Sequence, residues 1–163
     1  MNGLKRAARR KAVTLQTAPR LQLAVQYGIP KDSVPVDSAQ LRRWVRAALE
    51  GDACFTLRFV DEEEGRALNG GFRGREKPTN VLTFEYGHDP QEGRCADIVI
   101  CMPVVVKEAQ AQTKRVRDHL AHLVIHGALH AQGYDHQDDA AAAIMEGLET
   151  RLLRRFRIDD PYR

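Results

Sequence analysis

Cysteine is scarce in this 163-residue sequence, long apolar runs are absent, and the first 20 residues contain no acid. The three cysteines, Cys54, Cys95 and Cys101, are odd in number and form no Cys-x-x-Cys. That argues against a disulfide framework or a thiolate metal site and for free thiols in a reducing compartment. No stretch approaches the roughly 18 uninterrupted apolar residues that a membrane span requires. The basic N-terminus does not read as a signal peptide either, because Arg20 and polar neighbours interrupt what would be its apolar region. A cytoplasmic protein with no membrane partner is expected.

What is present is ordinary for a globular chain: 43% apolar and 29% charged residues. A domain of this length can bury roughly 70% of the surface its unfolded chain exposes. The net charge of +3 conceals an asymmetry. Lys5, Arg6, Arg9, Arg10, Lys11 and Arg20 stand without an acid in residues 1–20, and the rest of the chain is net acidic. The expected organisation is a basic tail over 1–20 and one domain over 21–163. A basic arm suits a polyanion such as nucleic acid, although a solvated tail that only aids solubility explains the charge equally well.

Along the chain, alternation at Leu21, Leu23, Val25 and Tyr27 predicts a first strand. Asp37 with Gln40 resembles a capping box, opening a helix with Leu41, Trp44, Val45, Ala48 and Leu49 on one face. Residues 53–60 alternate as a strand. Asp61 and Glu64 cap a short helix expected to stop at Gly70-Gly71, and residues 72–80 read as a loop. Asn80 to Tyr86 and Ala96 to Met102 are two further strands, the second apolar on both faces as a central strand would be. Pro103 suits the first turn of a helix. A long helix runs from about Val116 to Gln132, and Asp138 or Asp139 caps a last one. The expected fold class is α+β, a small mixed β-sheet packed with helices.

Five of the six histidines lie between 119 and 136. His119, His122, His126 and His130 recur at helical spacing, so they share one stripe. His122 and His130 are about 12 Å apart along a helix, too far to share one ion with Zn–N bonds of about 2.0–2.1 Å. His126 and His130, one turn apart, can converge, and Gly133 lets the chain turn so that His136 joins them. Three neutral nitrogens with a fourth position open is the catalytic arrangement of zinc; the bland alternative is a run of surface or capping histidines. His119 and His122 are expected mainly to pack, Asp135 to orient a ligand imidazole or form a turn, and His88 to lie on the surface. Zinc proteases place a glutamate after the first histidine as general base, and here that residue is Gly127. The helix is zincin-like in its ligand spacing but lacks the group that peptide hydrolysis needs.

The segment His126-Gly-Ala-Leu-His130-Ala-Gln-Gly133-Tyr134-Asp135-His136 resembles the H-G-x-L-H-x-x-G-Y-D-H signature of the YbeY family of bacterial rRNA maturation factors. Two more segments are similar in the same order. Leu68-Asn69 with the run from Phe72-Arg73-Gly74 through Pro78-Thr79-Asn80-Val81-Leu82-Thr83-Phe84 is one; Ala96-Asp97-Ile98-Val99-Ile100-Cys101, followed by Glu108-Ala109-Gln110, is the other. The likeness covers about residues 21–162. Ala96 stands where the family usually has glycine, and Glu85 where proline often follows Phe84.

The resemblance implies a single-strand-specific endoribonuclease that holds one zinc per chain through His126, His130 and His136, with Arg73 and His126 as catalytic residues. It implies work on the 3′ end of 16S rRNA and in ribosome quality control, on the small ribosomal subunit, with a small-subunit ribosomal protein and the GTPase Era as partners. DNA is not an expected substrate. A guanidinium at position 73 suits the chemistry, because it can grip the oxygens of a phosphodiester that gains charge in the transition state. The competing expectations are a metal-dependent peptide or amide hydrolase and a non-catalytic assembly factor with a structural zinc.

Overall fold

The computed structural model describes residues 17–73 and 79–163, without the side chains of Phe72 and Arg73. Most of the expected basic tail, residues 1–16, and the core of the expected 72–80 loop, residues 74–78, lie outside the described residues. Four strands, β1 (Leu21–Tyr27), β2 (Ala53–Val60), β3 (Val81–Asp89) and β4 (Gly93–Cys101), form one sheet in the order β1-β2-β4-β3. β1, β2 and β4 run parallel and β3 is antiparallel to β4, so the mixed α+β sheet is as expected. The helices are α1 (Ser38–Ala47), α2 (Glu62–Arg73), α3 (Met102–Ala111), α4 (Val116–His130) and α5 (Asp139–Arg155).

The period-2 pattern decides which face each strand residue meets. Phe55, Leu57 and Phe59 of β2, with Ala96, Ile98 and Ile100 of β4, join Leu41, Trp44 and Val45 of α1 and the buried side of α4 in the main core. Each such large side chain contributes about 1.5–3 kcal/mol by leaving water. Val60, Leu82, Val99 and Cys101 form a smaller cluster that takes in Leu68 of α2. Central β4 therefore buries apolar residues on both sides, which is why its sequence does not alternate. The three cysteines are free thiols. Among the described residues, no helix is long and apolar enough to cross a membrane.

Capping was legible in the sequence. Asp37 Oδ1 accepts from the Gln40 amide at 2.8 Å and Asp138 Oδ1 from the Ala141 amide at 2.8 Å. The Gln40 side chain does not reach back; its Oε1 accepts from Arg43 instead. Three expectations need correction. α2 does not stop at Gly70-Gly71 but runs to Arg73. Gly71 has open space around it, so it costs the helix only its propensity, about 1 kcal/mol, while packing of Leu68 on the sheet holds the turn below it. β3 continues past Tyr86 through a register shift between Glu85 and His88, so His88 belongs to the strand's outer end and not to a loop. Arg20, counted with the tail, is instead clamped to Asp52, its Nε and Nη2 donating to Oδ2 at 3.0 and 2.8 Å.

α4 crosses the sheet at Gly127. A Cβ there would lie 2.7 Å from Ile98 Cγ2 of β4 and 3.5 Å from Val81 Cγ2 of β3. The helix backbone rests directly on the strands. Gly127→Ala should therefore be destabilising even though alanine favours a helix by about 1 kcal/mol; overpacking of about 1–3 kcal/mol exceeds that gain. Thermal unfolding should give a lower Tm, and a Tm at or above the parent's would mean that helix and sheet separate without cost.

Candidate metal centre

The C-terminal half of α4 carries the histidines, and the turn after it brings the third. Gly133, at φ +99°, takes the left-handed position that ends the helix. Its N–H donates to the His130 carbonyl at 3.0 Å and the Tyr134 N–H to the Leu129 carbonyl at 3.3 Å, the double bond pattern of a glycine-terminated helix. Gln132 then ties the turn to α1: its Nε2 donates to the Ala48 carbonyl at 2.7 Å, and its Oε1 accepts from the Glu50 amide at 2.8 Å. Tyr134 donates its hydroxyl to Glu50. The turn is thus anchored at both ends.

The rings of His126, His130 and His136 stand together. Their centroids are 6.3 Å apart for 126–130, 5.6 Å for 126–136 and 6.2 Å for 130–136. Three imidazoles on one tetrahedral ion would place their centroids about 5 Å apart; the observed rings are neighbours but stand wider than that, and their ring nitrogens do not all come within 4.8 Å of one another. His126 and His130 are half-buried and His136 is exposed, which leaves one side of the cluster open.

Two of these rings have an assigned proton. His130 Nδ1 lies 2.7 Å from the Tyr134 carbonyl oxygen, which can only accept, so Nδ1 carries the hydrogen. His126 Nδ1 lies 2.6 Å from Glu149 Oε1. In the neutral form of either ring the lone pair is therefore on Nε2. Holding the far nitrogen with a carboxylate or a carbonyl is the usual way a metal-ligating imidazole is oriented, and on that donor chemistry the residues fit a divalent metal.

Glu149 was missed by the sequence reading. It sits on α5 with no solvent exposure, and its Oε2 accepts from His122 Nε2 at 2.9 Å and from the Tyr162 hydroxyl. Burial pushes this carboxyl up, but the hydrogen bonds and charges of His122 and His126 outweigh it and hold it down at about 2. Burial and the Glu149 carboxylate both push the Tyr162 phenol up. Among the described residues, His122, His126 and Glu149 are the group whose donor atoms all lie within 4.8 Å of one another. A tetrahedral ion holds its ligand atoms about 3.4 Å apart. The contacts of 2.6 and 2.9 Å are instead hydrogen-bond lengths, with protons between the atoms.

His119 is buried, with Nε2 2.7 Å from Glu108 Oε2, and Glu108 also accepts from Asn80 Nδ2 at 3.0 Å. This link fastens α4 and α3 to the residue before β3. The Asp135 carboxylate accepts from the His136 amide at 2.6 Å, so it shapes the turn. Arg73 is the last residue of α2 and not part of a loop. The chain leaving it returns at Val81, beside Gly127 and hence beside the histidine helix. Gly127 leaves no space for the glutamate of a zinc protease.

A family model described as Endoribonuclease YbeY matches residues 27–157. A protein of Cupriavidus pinatubonensis named Endoribonuclease YbeY is 50% identical over 152 residues, covering 92% of this chain and 76% of its own. The protein of the same name from Thiobacillus denitrificans is 50% identical over 145 residues, covering 89% and 98%. The solution structure of a Thermotoga maritima protein, 24% identical, superposes with a TM-score of 0.55 over 83% of this chain and 92% of that one, which is a likeness of fold. With the family model matching residues 27–157 and relatives 50% identical over most of this chain, the chain belongs to the endoribonuclease YbeY family.

Proposed function

We propose that the chain is a hydrolase of RNA, a single-strand-specific endoribonuclease, whose metal centre is His126, His130 and His136 and whose ion is zinc, one per chain. The observation that supports this reading is the clustering of three imidazole rings at the end of α4, two of them with Nδ1 tied to an acceptor so that the neutral ring keeps its lone pair on Nε2. A divalent ion there supplies electrophilic pull on a phosphoryl oxygen and acidifies water. The protein's part is to hold the rings in one tautomer, to keep one side of the cluster open to a polynucleotide, and to exclude the peptidase base through Gly127.

Arg73 is the proposed phosphate-binding partner. It matches the family's arginine, and the chain that follows it ends against the histidine helix. The substrate proposed from the family is the 3′ end of 16S rRNA, within ribosome maturation and quality control in the cytoplasm. The small subunit, a small-subunit ribosomal protein and the GTPase Era are the proposed partners.

His126→Ala, His130→Ala and His136→Ala should each lower the metal content of purified protein sharply, whereas His88→Ala should not, as read by elemental mass spectrometry. Full occupancy in His136→Ala would exclude the exposed histidine as a ligand. Cleavage of a single-stranded rRNA fragment should stop on chelation and return on adding zinc; cleavage that persists in the chelated protein would exclude metal chemistry. Arg73→Ala should keep its metal and its Tm yet cleave about 10²–10³-fold more slowly, the effect of losing one preorganised donor. Arg73→Lys should recover only part of that, since an ammonium lacks the planar fork. Parent-like rates for Arg73→Ala would remove the residue from the site.

A further inference from the structure

We propose that Glu149 and Tyr162 are positioning residues of the metal centre, setting the tautomer and orientation of His126 from outside the histidine motif. The inference rests on His126 being a ligand, as argued above. Its own observations are separate. Glu149 has no exposed surface, and its α5 neighbours Met145, Leu152 and Leu153 are buried apolar residues. A carboxylate in such a place is costly unless donors surround it. Three do: His126 Nδ1 on Oε1, and His122 Nε2 and the Tyr162 hydroxyl on Oε2.

The arrangement has a direction. Oε1 serves His126 alone, at 2.6 Å, while Oε2 takes the other two donors. His122 and Tyr162 therefore fix the carboxylate plane, and the plane fixes the His126 ring. Tyr162 also stands edge-on to His122, with ring centroids 5.4 Å apart, so it packs against one partner of the carboxylate while donating to the carboxylate itself. This makes His122 a support for the site and not a ligand, and it gives the segment after α5 a role at the metal.

Zinc affinity measured by competition with a chromophoric chelator tests this directly. Glu149→Gln keeps an oxygen for His126 but loses the charge, and should bind zinc about 10–100-fold more weakly, the usual size for a lost orienting partner. Because a buried position can compromise folding, Tyr162→Phe is the second variant. Tyr162 is 46% exposed, so the metal-free Tm should stay near the parent's. Its zinc affinity should fall several-fold, and the visible spectrum of the cobalt-substituted protein should change. Full parent affinity and an unchanged cobalt spectrum in Tyr162→Phe would overturn the proposal. So would zinc loss in Glu149→Gln as complete as in His126→Ala, which would make Glu149 a ligand. Parent-like affinity in His126→Ala would instead remove the metal-site reading on which the proposal stands.

Discussion

A full negative charge with no contact to water has to be satisfied by the protein, and Glu149 is that charge. Everything around the histidines is compatible with this one demand. α5 must lie close enough to α4 for a carboxylate to meet two imidazoles one turn apart. The segment after α5 must come back over α4 so that Tyr162 can supply the third donor. The polar stripe of α4 is then not a flaw in a buried helix. One side of the helix is buried in the core, with Gly127 against the sheet, and the other is a row of hydrogen-bonded histidines.

The motif after the helix reads as a set of separate mechanical tasks. Gly133 supplies the conformation that stops α4, the Tyr134 carbonyl accepts a hydrogen bond from His130 Nδ1, its hydroxyl anchors the turn to Glu50, and Asp135 holds the amide of His136. His119 does a similar job at the other end of the helix, joined through Glu108 to Asn80. Asn80 and Glu108, from two of the family segments, are therefore bonded to each other, and His119 joins them, which ties β3, α3 and α4 into one unit.

Much of this was readable in the residues. Spacing on a helix limits which histidines can stand close together, and a glycine at the right distance returns a third, so the neighbourhood of the His126, His130 and His136 rings follows from local geometry. The strands and caps were local too. What could not be read is what depends on distant partners. Little near Glu149 in sequence distinguishes it from a solvated acid on α5, because two of its three partners are 23 and 27 residues away, on α4. A glutamate facing the same side as Met145, Leu152 and Leu153 was the available signal. The end of α2 was misjudged for the opposite reason. Local propensity pointed to a stop at Gly70-Gly71, but exposed glycine is only mildly costly, and contacts between Leu68 and the sheet outweigh it.

The direct seating of α4 on β4 at Gly127 also bears on how this scaffold can change. Helices that bind zinc with the same two-histidine spacing serve proteases elsewhere, where the residue after the first histidine is acidic. Here that acid would have to occupy the volume of Ile98. Passage from one chemistry to the other is therefore no single substitution: the layer separation between helix and sheet would have to grow first, and the core on that face would have to be refilled. The closeness of two backbones acts as a barrier in sequence space, keeping a shared ligand geometry on its own side of a reaction-class boundary.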